Sequence, residues 1–352
     1  MMGEIMGSRE NKDNIIQNIR DRIKENIIEN SLIQDGDKIV VAVSGGPDSM
    51  CLLDNLNALK QIFKEKYNIS YSLYVAHVNH KIRIESEQEK VYVKNYCDSI
   101  DTPFYYKEAD IPKLSAELKL SEETCGRKIR YDFFNQLILD INADKLAIAH
   151  NLNDNVETIL LNVIRGCGLK GLTGMDFKAE NYIRPMLNIE KKDILKYCES
   201  RKLNPCFDAT NEMDIHMRNK VRLDLIPMLK KEYNSNIMQN ITRMRNIVKI
   251  DDDFLNEYTN SVVDNAIIKY DNLKIIFDFS YITKEHEAIE KRAIRAILYK
   301  LLGNLDGIEN IHINDIIRLL KNNKKGKEYI IGSKFNIKIV KKNIAVISKG
   351  GI

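Results

Sequence analysis

One hexapeptide near the N-terminus has the composition of a phosphate-binding loop. Residues 44–49 read Ser-Gly-Gly-Pro-Asp-Ser. They follow a run at 38–43, apolar after Lys38, that predicts a buried strand, and they precede a helical pattern at 49–65. Glycine lets the backbone approach an anion, and the N–H groups at a helix start attract negative charge. The serines can donate to phosphate oxygens, whereas the aspartate would meet phosphate through a cation such as Mg²⁺. The predicted loop residues are Ser44, Gly45, Gly46, Pro47, Asp48 and Ser49.

The hexapeptide differs from the two commonest nucleotide loops. No lysine lies between Val43 and Lys60, which excludes a Walker A loop, and Gly-x-Gly-x-x-Gly is absent. An ordinary strand-to-helix turn also favours Ser, Gly and Asp. The loop alone therefore leaves both interpretations open, with phosphate binding favoured.

A second group of polar residues begins a later helix. We predict that the chain leaves a strand at 145–150 through His150 and enters a helix at 153–165 capped by Asn153. Asp154 and Glu157 then share one helix face. Two carboxylates there can bind Mg²⁺ or a substrate ammonium, or simply complement the helix dipole. Spacing alone leaves these alternatives open.

Basic and imidazole side chains supply further candidates. His77 and Arg83 follow a predicted strand at 71–77 and suit contacts to a nucleotide better than zinc. Arg127 and Arg130 lie one turn apart on a predicted helix at 121–140, where they can neutralise phosphate or form surface salt bridges. The glycine-dense run 165–172 indicates either a helix C-cap or a loop that approaches a ligand closely.

Composition limits the class of protein. The chain has 352 residues, of which 44% are hydrophobic and 30% are charged, and no apolar run approaches a membrane span of about 20 residues. Six cysteines without a Cys-x-x-Cys pair predict a reducing cytoplasm. Residues 313–352 carry a net charge of +8 and the rest −4, which indicates a polyanionic partner or a solvated lysine-rich surface.

The elements that must position these residues alternate between strand and helix. Strands predicted at 38–43, 71–77, 103–108, 145–150 and 182–186 alternate with helices, which predicts an α/β fold with a parallel sheet covered on both faces. Ligands of such sheets bind beyond the carboxyl ends of the strands. After a boundary near 212–218 we predict a mostly helical region that ends in a small β element. The predicted domains are a catalytic domain at 1–215 and, at 216–352, a mostly helical domain whose basic end suits a polyanionic partner.

Taken in order, the motifs resemble those of the bacterial tRNA(Ile)-lysidine synthetases, which are PP-loop ATP pyrophosphatases with an adenine nucleotide alpha hydrolase-like fold. The matching pieces are Ser44–Ser49, His77-Val-Asn-His-x-x-Arg83, Glu123-x-x-x-Arg127-x-x-Arg130-Tyr131, His150-x-x-x-Asp154-x-x-Glu157-Thr158, Arg165-Gly-x-Gly-Leu-x-Gly-Leu172, Arg184-Pro185, Asp208-x-x-Asn211 and Arg218-Asn219-x-x-Arg222. The resemblance is specific over 38 to about 230. Beyond 230 it is one of architecture.

The resemblance implies a reaction in which ATP adenylates the wobble cytidine of a tRNA(Ile) with a CAU anticodon and free L-lysine then displaces AMP. It implies Mg²⁺ on Asp48 and Asp154, and lysine on Asp154 and Glu157. Arg127 and Arg130 would face phosphate or the activated base. ATP would also contact His77, Arg83 and His150, and tRNA would contact Arg165, Gly166 and Arg218. The expected location is the cytoplasm, away from membranes, and the oligomeric state stays open, a homodimer included.

Two departures and three rivals accompany the resemblance. Asn153 and Asn155 stand where the family usually has Asp and Gln, and we expect the chain to stop without the further C-terminal domain that many members carry. The rivals are an ATP-dependent tRNA thiolase, a ligase for a small metabolite and a non-catalytic RNA-binding protein. The thiolase would need cysteines at the site or an iron–sulfur cluster.

Overall fold

A computed structural model describes residues 2–79, 81, 86–206, 217–332 and 334–350. Arg83, a predicted ATP contact, lies outside these ranges, as do Asp208 and Asn211 of the motif series. The chain forms two compact units, Met1–Arg245 and Asn246–Ile352.

The first unit is built on a six-stranded sheet. Its strands are β1 (Lys38–Ala42), β2 (Ser72–Asn79), β3 (Phe104–Glu108), β4 (Lys145–Ala147), β5 (Lys178–Ala179) and β6 (Tyr182–Ile183). They lie in the order β3-β2-β1-β4-β6-β5, and every neighbouring pair is parallel except β5 with β6. The predicted parallel sheet is therefore confirmed.

Helices cover both faces of this sheet. They are α1 (Met2–Glu29), α2 (Pro47–Tyr67), α3 (Ser86–Ser99), α4 (Ile111–Leu118), α5 (Glu122–Ile141), α6 (Leu152–Ile164), α7 (Leu169–Leu172) and α8 (Lys191–Arg201). Strand β1 shows the two-sided burial: Ile39 and Val41 pack with α1, α2 and α8, whereas Val40 packs with Phe134 and Leu137 of α5. Alternate residues of a strand face opposite sides, so a strand with consecutive apolar residues, as at 39–42, must be covered on both faces.

The chain after residue 216 stays with the first unit longer than we predicted. Helices α9 (Met217–Lys220) and α10 (Ile226–Met228) alternate with π-helical stretches Val221–Leu225 and Leu229–Tyr233, and α11 (Ile237–Ala266) follows. Val221, Ile226, Met238 and Ile241 pack against α6. This burial moves the division to 245/246, so the boundary predicted near 212–218 is wrong.

The second unit is an antiparallel sheet with helices. After α11 come β7 (Ile267–Tyr270), β8 (Lys274–Asp278), α12 (Ser280–Thr283), α13 (Glu287–Leu302), α14 (Asn310–Asn322), β9 (Glu328–Ile331), β10 (Phe335–Lys341) and β11 (Ile344–Lys349). The strand order is β7-β8-β11-β10-β9. The predicted terminal β element is present as β9, β10 and β11. It is part of a larger, five-stranded sheet that also contains β8 and β7, and β7 was not predicted. Ile337, Ile339 and Ile347 lie in its core, so the basic end is a folded part of this unit.

Among the described residues, no helix is long and apolar enough to cross a membrane.

Candidate functional site

The hexapeptide forms the junction between β1 and α2. Gly46 is the N-cap of α2 and makes no side-chain capping bond, and Pro47 occupies the first turn, where a missing N–H costs nothing. Gly45 has φ +95, a conformation that a side chain would strain. Ser49 Oγ accepts from Ser44 N at 3.1 Å and donates to Gly46 O at 3.0 Å, which holds the loop closed. The loop therefore presents a glycine-lined helix start, the geometry that suits an anion.

Asp48, in the first turn of α2, is bound by two neighbours. Lys191 Nζ donates to Asp48 Oδ2 at 2.5 Å, and Asn151 Nδ2 donates to Oδ1 at 3.1 Å. Burial raises the pKa of Asp48, an effect that the Lys191 ammonium opposes and the nearby Asp154 carboxylate reinforces. The loop aspartate, α6 and the start of α8 thus meet at one place.

The N-cap of helix α6 lies two residues before the predicted cap. Asn151 is the N-cap: its side chain accepts from Asp154 N at 3.2 Å, and Asp154 Oδ2 accepts from Asn151 N at 3.0 Å. The prediction that Asn153 caps this helix is wrong, because the reciprocal bond requires an acceptor three residues before Asp154. Asn153 instead accepts from Lys191 N at 3.0 Å, which satisfies an N–H at the start of α8.

Asp154 and Glu157 share one helix face, as the spacing predicts, and two arginines cover them. Arg222 donates to both Glu157 oxygens, at 2.7 and 2.9 Å, and reaches Asp154 at 3.4 Å. Arg218 donates to Glu157 at 2.9 Å and to Asp154 at 3.1 Å. The Glu157 side chain is only 2% exposed. A buried carboxylate is stable when it is paired and hydrogen-bonded, and the arginines supply both.

We call Asp48, Asp154, Glu157, Lys191, Arg218 and Arg222 the charged cluster. It contains three acidic and three basic side chains, and each acidic one is bonded to a basic one. Its carboxylates therefore already accept from nitrogen cations. Mg²⁺ usually takes one or two protein carboxylates together with phosphate oxygens, and Asp48 with Asp154 fits that donor set. No group of three or more metal-binding side chains occurs within the described ranges.

His150 lies at the carboxyl end of β4, beside several arginines. Arg184 Nε donates to His150 Nδ1 at 3.2 Å, which requires a neutral ring. Burial lowers the pKa of His150 to about 3, with further contributions from Arg184, Arg218, Arg127 and Arg130. The last two lie on α5, where Arg127 stacks over the Tyr131 ring at 4.8 Å. The arginines make this edge of the sheet suitable for phosphate, while His150 can only bond as a neutral group.

His77 does not lie beyond a strand end. It is inside β2 and buried, and its Nδ1 is 2.8 Å from Val43 O. Its ring stacks with Tyr106 at a centroid distance of 6.0 Å. Within the described part of the chain Nε2 has no hydrogen-bond partner. The prediction that His77 sits at the open edge is wrong, because β2 continues to Asn79.

The glycine-dense segment is a folded corner. An added Cβ at Gly171 would lie 2.3 Å from Cys167 Cβ, and one at Gly174 (φ +62) 2.3 Å from Asn155 Oδ1, so both glycines are required by packing. Arg165 and Gly166 are exposed at the far end of α6, about 17 Å along the helix from Asp154. The structure does not bring these two residues to the charged cluster.

Four residues in contact with the predicted site were absent from the predicted set: Asn151, Arg184, Lys191 and Arg222. Arg184 and Arg222 belong to the motif series, so the motifs could have identified them as site residues. Lys191 lies in the run Glu190-Lys191-Lys192-Asp193, and nothing in the sequence distinguishes it from Lys192.

A parallel sheet whose first strand runs into a glycine-rich helix start defines an α/β protein of the loop-to-helix anion-binding class. Residues 15–229 match the model of the PP-loop domain, and the chain belongs to that family.

Known relatives are consistent with this assignment. A tRNA(Ile)-lysidine synthase of Clostridioides difficile is 39% identical over 88% of this chain and 66% of its own length. One of Clostridium acetobutylicum is 42% identical over 84% of this chain and 63% of its own length. The chain thus spans somewhat less than two thirds of these relatives. A U34-tRNA thiolase of Methanococcus maripaludis, solved with its [4Fe-4S] cluster, shares the fold (TM-score 0.53, 19% identity, 66% of this chain and 80% of that one).

Proposed function

We propose that the chain modifies the wobble cytidine of a tRNA(Ile) with a CAU anticodon, joining free L-lysine to C2 at the expense of ATP. The C2 carbonyl oxygen attacks the α-phosphate and pyrophosphate leaves. The lysine ε-amine then attacks C2, loses a proton, and AMP leaves. The product is lysidine.

One observation carries this proposal: Asp154 and Glu157 already hold nitrogen cations at hydrogen-bond distance beside the loop aspartate. A lysine ammonium has the charge and donors to replace one of those contacts. Such a carboxylate can also take the proton that the attacking amine must lose. The similarity to tRNA(Ile)-lysidine synthases supports the same assignment.

The other side chains have roles that match their positions. The loop 44–49 would hold the triphosphate, and Arg127, Arg130 and Arg184 would offset its charge or that of the activated base. A carbonyl oxygen is a weak nucleophile, so positioning and charge stabilisation at the α-phosphate must supply most of the acceleration. Mg²⁺, when bound to Asp48 and Asp154, would add charge neutralisation at the phosphates.

The basic surface of the second unit supplies a candidate contact for the tRNA backbone. Residues 313–352 contain ten lysines and arginines against two acidic residues, and along β10 the outward positions alternate with core residues. Recognition of the anticodon itself suits a single-stranded loop, whose bases can be splayed out.

The test is a turnover assay with radiolabelled lysine, ATP and unmodified tRNA(Ile) bearing CAU. We expect lysine to enter the tRNA with release of AMP and pyrophosphate. A transcript with uridine at the wobble position is the matched control and should accept none. Formation of ADP and orthophosphate would refute the proposal. Pyrophosphate release without lysine incorporation would favour a thiolase or a small-metabolite ligase, and no turnover would favour a non-catalytic RNA-binding protein.

A further inference from the structure

Lys191 joins helix α8 to the loop at 44–49. It is the first residue of α8, and its ammonium lies 2.5 Å from a carboxylate in the first turn of α2. The Lys191 side chain is 34% exposed, so solvent and small solutes can reach this contact. Lys191 and Asp48 are 143 residues apart in sequence. The fold therefore brings a flexible cation from another helix to the loop.

The backbone of Lys191 is fixed as well as its side chain. Its N–H donates to Asn153 Oδ1 at 3.0 Å. This bond ties the start of α8 to the first turn of α6, the helix that carries Asp154 and Glu157. Asn153, a departure from the usual family residue, thus has a defined task that an Asp could also perform, since both offer a side-chain oxygen.

The ammonium retains capacity for another partner. It has three N–H donors, and within the described ranges one is used, by Asp48. Asp48 is the second residue of α2, so the other donors lie close to the glycine-rich turn. A lysine beside a helix N-terminus is a common arrangement for phosphate, where it acts as a mobile point charge.

We propose that Lys191 is a further catalytic residue, which donates to a phosphate oxygen of the nucleotide held by residues 44–49, and that Asn153 is a positioning residue that fixes its backbone. This inference rests on the proposed use of ATP. It does not depend on which base or amine completes the reaction.

The test measures binding of inorganic pyrophosphate and ATP by calorimetry for the full chain. Loss of a charge-assisted hydrogen bond to phosphate should weaken both affinities about tenfold to a hundredfold in Lys191→Met. Lys191→Arg should recover most of the loss. Lys192→Met is the matched control, because that side chain is 63% exposed and pairs with Glu190, and it should bind within twofold of wild type.

The positioning role of Asn153 has its own readout. Asn153→Ala should lower pyrophosphate affinity, and Asn153→Asp should restore it because the acceptor oxygen is kept. Equal affinity in the Ala and Asp variants would remove Asn153 from this role.

A second measurement avoids substitution and guards against a misfolded variant. Acetic anhydride acetylates exposed amines, and mass spectrometry can follow Lys191 and Lys192 separately in the wild-type chain. Pyrophosphate should slow acetylation of Lys191 severalfold and leave Lys192 unchanged. Equal rates with and without pyrophosphate, or a Lys191→Met variant that binds pyrophosphate as wild type does, would overturn the proposal. A chain that binds pyrophosphate through Lys191 yet makes no lysidine would refute the proposed function and keep this inference.

Discussion

Asp54 lies one and a half turns beyond the loop on α2 and joins three helices. Its carboxylate accepts from Arg201 of α8 through two bonds of 2.9 Å, from Tyr197 of α8 at 2.5 Å and from Tyr96 of α3 at 2.7 Å. The side chain is 4% exposed. This network holds α8, and with it Lys191, against the helix that carries Asp48.

We expect Asp54→Asn to destabilise the first unit strongly while keeping the shape of the side chain. The change removes the negative charge that pairs with Arg201. It also replaces one of the two acceptor oxygens by an NH₂ donor, so the buried Tyr197 hydroxyl and Arg201 must share the remaining acceptor. Removing one partner of a buried ion pair costs about 3–5 kcal/mol. Arg201 is partly exposed and regains water, which favours the lower end. A loss of about 3 kcal/mol lowers the melting temperature by about 6–12 °C in a domain of this size.

The assay is thermal unfolding with hydrogen exchange of α2 and α8 peptides, because a chain of two units need not melt in one step. The control is Asp98→Asn, which breaks an exposed pair with Lys94 and should cost about 0.3–0.5 kcal/mol. A melting temperature for Asp54→Asn within 2 °C of the control would refute the reasoning.

The same network predicts a pH dependence. Burial alone would raise the pKa of Asp54, but the hydrogen bonds from Arg201, Tyr197 and Tyr96 outweigh it, so the pKa lies below its usual value. Such a group stabilises the fold above its unfolded pKa of about 3.9 and loses that contribution as pH falls through the folded pKa. The stability difference between wild type and Asp54→Asn should therefore be full at pH 7 and shrink below about pH 4. A difference that is constant down to pH 3 would contradict this account.

Further predictions concern the site and its supports. Asp154→Ala should abolish tRNA-dependent pyrophosphate release and leave the far-ultraviolet circular dichroism spectrum unchanged; retained release would remove Asp154 from the mechanism. Gly174→Ala should cost at least about 1–2 kcal/mol for the left-handed backbone alone, with the contact to Asn155 Oδ1 in addition, whereas Gly326→Ala, where nothing lies near the added Cβ, should show only the backbone cost. The His150 ring should not titrate between pH 5 and 8 by NMR, because its pKa is lowered to about 3; a shift in that range would show that the Arg184 contact is misassigned. Replacing Lys324, Lys325 and Lys327 by Gln should weaken tRNA binding and reduce the salt slope of log Kd by about 2–3; an unchanged slope would mean a merely solvated surface. Deleting 313–352 is a poor test, because it removes core residues of the second unit.

Local pattern predicted much of the fold and part of the site. The run 38–43 is apolar at every position after Lys38. A strand covered on both faces could therefore be predicted, and the structure confirms it through Val40 and Val41. The hexapeptide and the pair Asp154 and Glu157 could be predicted as site residues because each set lies within one or two helical turns of sequence.

Contacts between segments that are distant in sequence could not be predicted from local patterns. Lys191 differs from Lys192 only in what lies opposite it across the fold. Asn151 and Asn153 are equally good capping residues, and the register of α6 chose between them. The unit boundary was missed because α11 runs through it as one helix, without a loop or a change in composition to mark it.

Helix α8 is fixed to α2 by ion pairs at both of its ends, Lys191 with Asp48 and Arg201 with Asp54. An insertion or deletion of one residue between them would rotate one end by about 100° and shift it by about 1.5 Å, so both pairs could not form together. The two ion pairs therefore fix the number of residues between Lys191 and Arg201. They do not restrict which residues occupy the outward-facing positions. Among functional homologues, we expect the outward-facing positions of α8 to vary by substitution, and the helix hardly to vary in length.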